Sequence, residues 1–297
     1  MIASEKEIQT GMVALVGPPN VGKSTLLNTL LGQKISIVSP KPQTTRNRIM
    51  GIVNDDDYQI ILLDTPGIHA AHSPLNQSLV RAALDSLAEV EVIVFMIDVT
   101  YPLPERLAES GRVLQRTGKP VILIINKIDL VEKDELLPII QAYQAIHPFQ
   151  AILPISALHN DGCQELISEL LPLLPKGPRI FPEDIPTDVS ERFIVSEMIR
   201  EKIFLLTHQE IPYATAVTID AFQEGSRQVT IHATINVERS SQKGIIIGKG
   251  GKMLARIGRE ARFDIQELLG AKVVLKLWVK VVKEWSRRAA SLRDFGY

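Results

Sequence analysis

Gly17-Pro18-Pro19-Asn20-Val21-Gly22-Lys23-Ser24-Thr25 is the stretch on which the fold turns. It follows the apolar run Met12–Val16 and opens the helix-like stretch Ser24–Leu31, a strand–loop–helix context. The spacing GxxxxGK[ST] is that of a phosphate-binding loop. Its glycines let the backbone wrap so that successive N–H groups point at phosphate oxygens. The helix that follows adds the partial positive charge of its N-terminus. Lys23 is placed to reach β- and γ-phosphates, and the Ser24 hydroxyl to ligate Mg²⁺.

Working outward, four further apolar runs read as strands: Tyr58–Leu63, Val92–Ile97, Val121–Ile125 and Ala151–Ile155. Most are almost wholly apolar, as strands buried on both faces are. Asn76–Ala88, Pro104–Gln115, Leu136–Ile146 and Cys163–Leu171 are suited to helices between them. This alternation predicts an α/β, doubly wound sheet.

Three motifs follow the loop in order. Asp64-Thr65-Pro66-Gly67 closes the strand Tyr58–Leu63. Asp64 is suited to hold Mg²⁺ and the Gly67 N–H to meet a γ-phosphate, which makes the following segment sensitive to that phosphate. Asn126-Lys127-Ile128-Asp129 follows Val121–Ile125. A carboxylate at Asp129 accepts from guanine N1–H and N2–H₂, whereas adenine would leave it unpaired, so the reading is GTP and GDP rather than ATP. Asn126 is expected to tie this loop to the first, and the Lys127 stem to cover the base. Ser156-Ala157-Leu158 follows Ala151–Ile155, with the Ala157 N–H a candidate partner for guanine O6. Between the first two motifs lies Pro42-Gln43-Thr44-Thr45-Arg46, where Thr45, in preference to Thr44, is the candidate to complete the Mg²⁺ shell. The candidate catalytic set is thus Lys23, Thr45, Gly67 and Asn20.

The chain has 297 residues, a size for two domains, and a net charge of −1 that hides an asymmetry. Residues 1–175 hold 13 Lys and Arg against 19 Asp and Glu, while 239–297 hold 14 against 5. A basic end on an acidic front half points to a polyanionic partner. Leu171–Pro186 contains five prolines and reads as a linker. The lone cysteine, Cys163, excludes an internal disulfide and fits a reducing cytosol. Met1–Thr10 has no apolar segment of the signal-peptide kind, and no run approaches the ~20 apolar residues of a membrane helix.

In the basic part, Ile245–Ile247 is followed by Gly248-Lys249-Gly250-Gly251-Lys252 and a helix pattern with Met253, Leu254, Ile257, Ala261 and Ile265 on one face. Strands are expected at Tyr213–Phe222, Arg227–Val237 and Lys272–Val281. A GxxG turn between helices is the device by which a KH domain clamps about four nucleotides of single-stranded backbone. Ile247, Gly248, Lys249, Gly250, Gly251, Lys252, Arg256 and Arg259 are the candidate RNA contacts. His69 and His72 read as a solvated loop rather than a metal site, and Trp278 and Trp285 as core.

On Gly17–Thr25, Gln43–Arg48, Asp64–His69, Asn126–Asp129, Ser156–Ala157 and the Gly248–Gly251 turn, nearly the whole chain resembles the Era family of bacterial GTPases. The resemblance implies a Ras-like P-loop domain (1–175), a linker (176–188) and a smaller α+β type II KH domain (189–297). It implies slow GTP hydrolysis, binding to the 3′ end of 16S ribosomal RNA, and help in assembling the 30S ribosomal subunit. A cytoplasmic monomer is expected, with peripheral contact at the inner face of the membrane left open. Two departures are Gly250 within the GxxG and Pro18-Pro19 in the P-loop. Ile68 stands where many Ras-like proteins place a water-orienting glutamine, so another group must assist hydrolysis. In related GTPases an asparagine placed like Asn20 holds K⁺ against the phosphates. A transfer-RNA-modifying GTPase is the rival reading, but residues 289–297 lack the cysteine it calls for. A two-G-domain ribosome-assembly GTPase would need a second P-loop, and a pure RNA scaffold would show no hydrolysis.

Overall fold

The structure is a computed structural model that describes residues 6–41, 44–66, 87–102 and 114–295. Gly67, Ile68, His69, His72 and Gln43 lie outside the described residues, as do most of the expected helices Asn76–Ala88 and Pro104–Gln115. The chain divides into two compact units.

The first unit is built on β1 (Ile8–Val16), β2 (Ile49–Asn54), β3 (Tyr58–Asp64), β4 (Val92–Asp98), β5 (Val121–Asn126) and β6 (Ala151–Ile155). They pair in the order β2-β3-β1-β4-β5-β6. All neighbours are parallel except β2, which runs antiparallel to β3. The short β7 (Lys176–Gly177) pairs antiparallel with the start of β1. Its described helices include α1 (Lys23–Leu31), α2 (Lys133–Gln144) and α3 (Cys163–Leu170). Every residue of β5 is buried, and in β4 only Asp98 is not, which is why these strands read as unbroken apolar runs.

The sequence order of the strands reverses at β1, which lies between β3 and β4. Loops leaving the carboxyl ends of neighbouring strands part there, opening a crevice where α/β sheets hold their ligands. The P-loop leaves β1 at this edge, Asp64 ends β3, Asn126 ends β5, and Ser156 follows β6. The register sets Leu15 opposite Asp64 and Asp98 opposite Asn126.

The second unit takes its described residues from Val189–Tyr297 and from the distant segment Ile37–Thr44. Its helices are α4 (Glu191–Leu206), α5 (Ser240–Ile247), α6 (Lys252–Leu269) and α7 (Ala289–Asp294). Its strands are β8 (Thr215–Glu224), β9 (Val229–Val237) and β10 (Val273–Val281), paired in the order β10-β9-β8. β8 and β9 are antiparallel, while β9 and β10 are parallel. The helices cover one face of this sheet, against which Ile231, Ala233 and Ile235 alternate inward. Ile257, Ala261 and Ile265, four residues apart, form the buried stripe of α6.

α4 is unusual in burying Glu197, Arg200, Glu201 and Lys202. Buried charges are tolerable only when paired and hydrogen-bonded. Arg200 meets the Glu197 carboxylate and donates to the Thr44 carbonyl. Glu201 Oε1 accepts from the Val38 N–H at 2.9 Å. Lys41 Nζ donates to the carbonyls of Phe204 and Thr207, placing a cation at the negative end of the helix. Lys202 pairs with Asp264 of α6 at 2.6 Å.

Among the described residues no helix is long and apolar enough to cross a membrane.

A candidate nucleotide site and a GxxG turn

The P-loop backbone takes conformations that its residue types permit. Gly17 has φ 149° and Gly22 φ 104°, with Asn20 between them at φ 64° and exposed. A Cβ at Gly17 would stand 2.2 Å from the Met96 carbonyl oxygen, and one at Gly22 would stand 2.1 Å from Asn126 Nδ2. Glycine is therefore required twice over, by the positive φ and by the close approach. Between them Pro18 is exposed and Pro19 half-buried, while Val21 is buried.

Lys23 opens α1 and is buried, with Nζ donating to the carbonyls of Gly17 at 3.1 Å and Pro18 at 2.9 Å. Burial pulls its pKa down to about 8, with the Asp64 carboxylate pushing back up. The ammonium is thus poorly solvated, which suits it to a nearby polyanion.

Side-chain oxygens of three residues meet beside it. Ser24 Oγ lies 2.6 Å from Asp64 Oδ2 and 2.9 Å from Thr45 Oγ1. Ser36, which the sequence reading passed over, also donates to Asp64 Oδ2, at 2.9 Å. Asp64 is fully buried, and burial raises its pKa against the pull of Lys23, Ser24 and Ser36. Its Oδ1 has no hydrogen-bond partner among the described residues. A buried carboxylate oxygen left over, with two hydroxyls alongside, is a donor set of the hard-oxygen kind that Mg²⁺ takes. Thr44 points elsewhere: its Oγ1 bonds Ser39 Oγ at 2.8 Å and the Lys41 carbonyl at 2.7 Å. The buried Thr65 hydroxyl bonds the Leu15 carbonyl, and Pro66 beside it is buried too. Thr25 is half-buried in the first turn of α1.

Asn126 is the hub of the base-side loops. Its Nδ2 donates to the Val21 carbonyl at 2.7 Å, and its Oδ1 accepts from the Ala157 N–H at 2.9 Å. The Ala157 N–H, expected to face a guanine oxygen, is thus engaged by Asn126 here. Thr29 Oγ1 donates to the Ala157 carbonyl at 2.7 Å, binding α1 into the same group. Lys127, at φ 70°, pairs with Asp98, another residue the sequence reading missed. Burial works to raise Asp98, but Lys127 and two hydrogen bonds from Thr100 hold it below the usual carboxylate range. Asp129 accepts from the Ser156 hydroxyl through Oδ1, with His159 Nε2 3.9 Å from Oδ2. Leu158 is largely exposed at the rim of these loops. Cys163 is buried at the start of α3, and burial pushes its thiol up to about 11, the state of an inert side chain.

In the second unit α5 ends at Gly248, and α6 begins after Gly251. Gly248, Gly250 and Gly251 have φ 71°, 59° and 77°. They differ in surroundings: a Cβ at Gly248 would lie 2.7 Å from Met253 Cβ, whereas those at Gly250 and Gly251 meet nothing within 4 Å. Lys249 and Lys252 are exposed beside the turn, and Ile247 is half-buried. Arg256 and Arg259 are exposed on α6, Arg256 paired with Glu260 at 2.8 Å. Trp285 is fully buried, as expected, with Nε1 donating to the Ala214 carbonyl. Trp278 corrects the expectation: it is 49% exposed, because it shares the outward face of β10 with Lys276 and Lys280.

Residues 12–127 match the family model described as a 50S ribosome-binding GTPase, and residues 210–286 match that of the KH domain. The chain is 52% identical to the GTPase Era of Geotalea uraniireducens (strain Rf4) over 295 residues, 99% of each chain. It is 53% identical to the GTPase Era of Geobacter sp. (strain M21), again over 99% of each. Two solved Era structures superpose with a TM-score of 0.93 at 44% identity, covering 98% of this chain and 99% of theirs. One is a point variant of Aquifex aeolicus Era bound to GDP and AlF4⁻; the other holds MgGDPNP and nucleotides 1506–1542 of 16S ribosomal RNA. With P-loop unit and KH turn both present, and half the residues identical from end to end, the chain belongs to the Era family of GTPases.

Proposed function

We propose that this chain is a GTP-hydrolysing switch that binds the 3′ end of small-subunit ribosomal RNA and assists 30S assembly. The cluster of Ser24, Thr45 and Asp64 oxygens beside the poorly solvated Lys23 carries the nucleotide half of this reading. The RNA half is supported by the open, lysine-flanked turn Gly248–Gly251 and by the related Era that holds 16S ribosomal RNA. The experiment is crosslinking and sequencing of RNA bound to the full chain with a non-hydrolysable GTP analogue. Reads should pile up at the 3′ end of the small-subunit RNA; an even spread over ribosomal RNA would remove that target.

Water attacks the γ-phosphate in line, and the chain supplies position and charge. Lys23 and the Gly17–Ser24 amides stabilise the negative charge that develops on the phosphate oxygens. Ser24, Thr45 and Asp64 are the residues that would hold Mg²⁺, whose charge is spread over the β- and γ-phosphates when bound. Asp129 reads the guanine edge, Ser156 orients that carboxylate, and Asn126 holds the base loop to the P-loop. Thr45 follows directly on Ile37–Thr44, so a nucleotide that orders Thr45 tugs on a segment held by α4. RNA that prefers the ordered arrangement then favours the triphosphate state by reciprocal linkage. The exposed Arg287, Arg288 and Arg293 extend the basic tail, which suits peripheral contact with an anionic membrane as well.

Asn20 stands exposed at the P-loop tip in a left-handed conformation, the place from which a side-chain oxygen can help hold K⁺. A monovalent cation there supplies positive charge where an arginine finger otherwise acts. GTP turnover at matched ionic strength should run about tenfold faster in potassium than in sodium chloride, on the scale of one charge stabilised by about 1.4 kcal/mol. Asn20→Ala should lose most of the difference. Equal parent rates in the two salts would point to a partner that brings the charge.

A further inference from the structure

The sheet of the second unit has a face that its helices leave open. Along β10 the residues Val273, Leu275, Leu277, Val279 and Val281 share one parity and Lys276, Trp278 and Lys280 the other. The first set faces the helices: a Cβ at Gly258 of α6 would lie 3.3 Å from Leu277 Cδ1. Lys276, Trp278 and Lys280 therefore stand on the opposite side, and all three are exposed.

The register continues this face across the sheet. Trp278 pairs with Thr234, and Thr234 with Thr218; Lys276 pairs with His232 and Lys280 with Asn236. His232 packs against Trp278, with ring centroids 5.3 Å apart and planes inclined at 59°. Thr234 donates to Asp220 of β8 at 2.6 Å, so that carboxylate is already engaged. The result is an aromatic surface braced on one side by an imidazole and flanked along the strand by two ammonium groups.

A tryptophan half in water on an open sheet leaves a large apolar area uncovered. Its neighbours select the occupant. Lysines two residues to either side suit phosphates on a chain crossing the indole, and a ring face suits a base, since every base has a π-face. A protein partner of acidic character would satisfy the lysines, but an unpaired nucleotide satisfies both lysines and ring.

We propose that this face is a second RNA contact, distinct from the GxxG turn: one unpaired base stacks on Trp278 while Lys276 and Lys280 hold its flanking phosphates. The site rests on the RNA-binding reading of this unit and extends its footprint from the helix side of the sheet to the other. It calls for a single strand longer than the four nucleotides that a GxxG clamp holds.

The test uses the full chain and two single-stranded RNAs, one of four nucleotides and one of twelve. Trp278→Ala should weaken the twelve-nucleotide RNA about tenfold, within the range for one stacked base, and leave the four-nucleotide RNA unaffected. Trp278→Phe should keep most of the affinity. Replacing Lys276 and Lys280 by Ala should flatten the slope of log affinity against log salt by about 1.4 for the longer RNA. Because Trp285 is fully buried, the drop in indole fluorescence when the longer RNA binds the parent should come from Trp278 and be lost in Trp278→Ala. Equal affinity of Trp278→Ala and parent for the longer RNA would overturn the proposal. So would an equal loss on both RNAs, since that marks damage to the fold. Failure of the parent to bind four nucleotides would instead sink the clamp reading, and this site with it.

Discussion

Asp129→Asn is expected to lower GTP affinity by about a thousandfold and to turn preference toward xanthosine triphosphate. On the proposed reading the carboxylate takes two guanine hydrogen bonds, and a site built around such a pair discriminates by factors of about 10⁴. A thousandfold loss corresponds to about 4 kcal/mol. The fold should tolerate the change, because Ser156 donates to Asp129 Oδ1 and an asparagine oxygen accepts the same bond. The xanthine carbonyl complements the amide N–H₂ that guanine rejects. Nucleotide titrations of parent and variant with both triphosphates decide the matter. Unchanged GTP binding in Asp129→Asn would place the guanine contact elsewhere.

Gly251→Asp is expected to reduce RNA affinity at least about a hundredfold while GTP turnover without RNA is preserved. The carboxylate would stand where a phosphate backbone approaches, and a clamp on four nucleotides depends on that approach. The position suits the test better than Gly248. A side chain at Gly248 collides with Met253, so its loss would mix misfolding with repulsion. At Gly251 there is open space, the φ of 77° is one that Asp tolerates better than most residues, and a carboxylate at the start of α6 complements the helix dipole. Gel-shift affinity and steady-state turnover, measured on the same preparation, separate the two activities. RNA affinity equal to the parent's would remove the clamp.

Much of the nucleotide site was legible because its chemistry is local. Each loop is a short run of residues at the end of an apolar strand, and the strand runs of β3, β4, β5 and β6 sit within one residue of where the apolar pattern put them. Ser36 and Asp98 were not legible, since neither belongs to a contiguous motif; they reach the site through pairings made only in the folded sheet. β2 escaped for a different reason. Ile49–Asn54 contains Gly51 and does not alternate; a Cβ at that glycine would lie 2.5 Å from Leu27 Cδ1. The turn Asp55-Asp56-Asp57 before Tyr58 was the signal for that hairpin. Trp278 was misread by weighing residue type over parity. Lys276 and Lys280 lie two residues to either side, and in a strand that spacing commits all three to one face.

The contact of Arg200 with the Thr44 carbonyl spans 156 residues of chain. On a ribosome adding about 5–20 residues per second, α4 is synthesised about 8–30 s after the segment it must hold. During that interval Val38, Lys41 and Thr44 have no helix to bind. The carboxylates and cations of α4 in turn emerge needing partners that already exist. The second unit is thus completed by something made long before it. A fragment beginning at α4 would have Glu201 and the last carbonyls of its own first helix facing water instead of Val38 and Lys41.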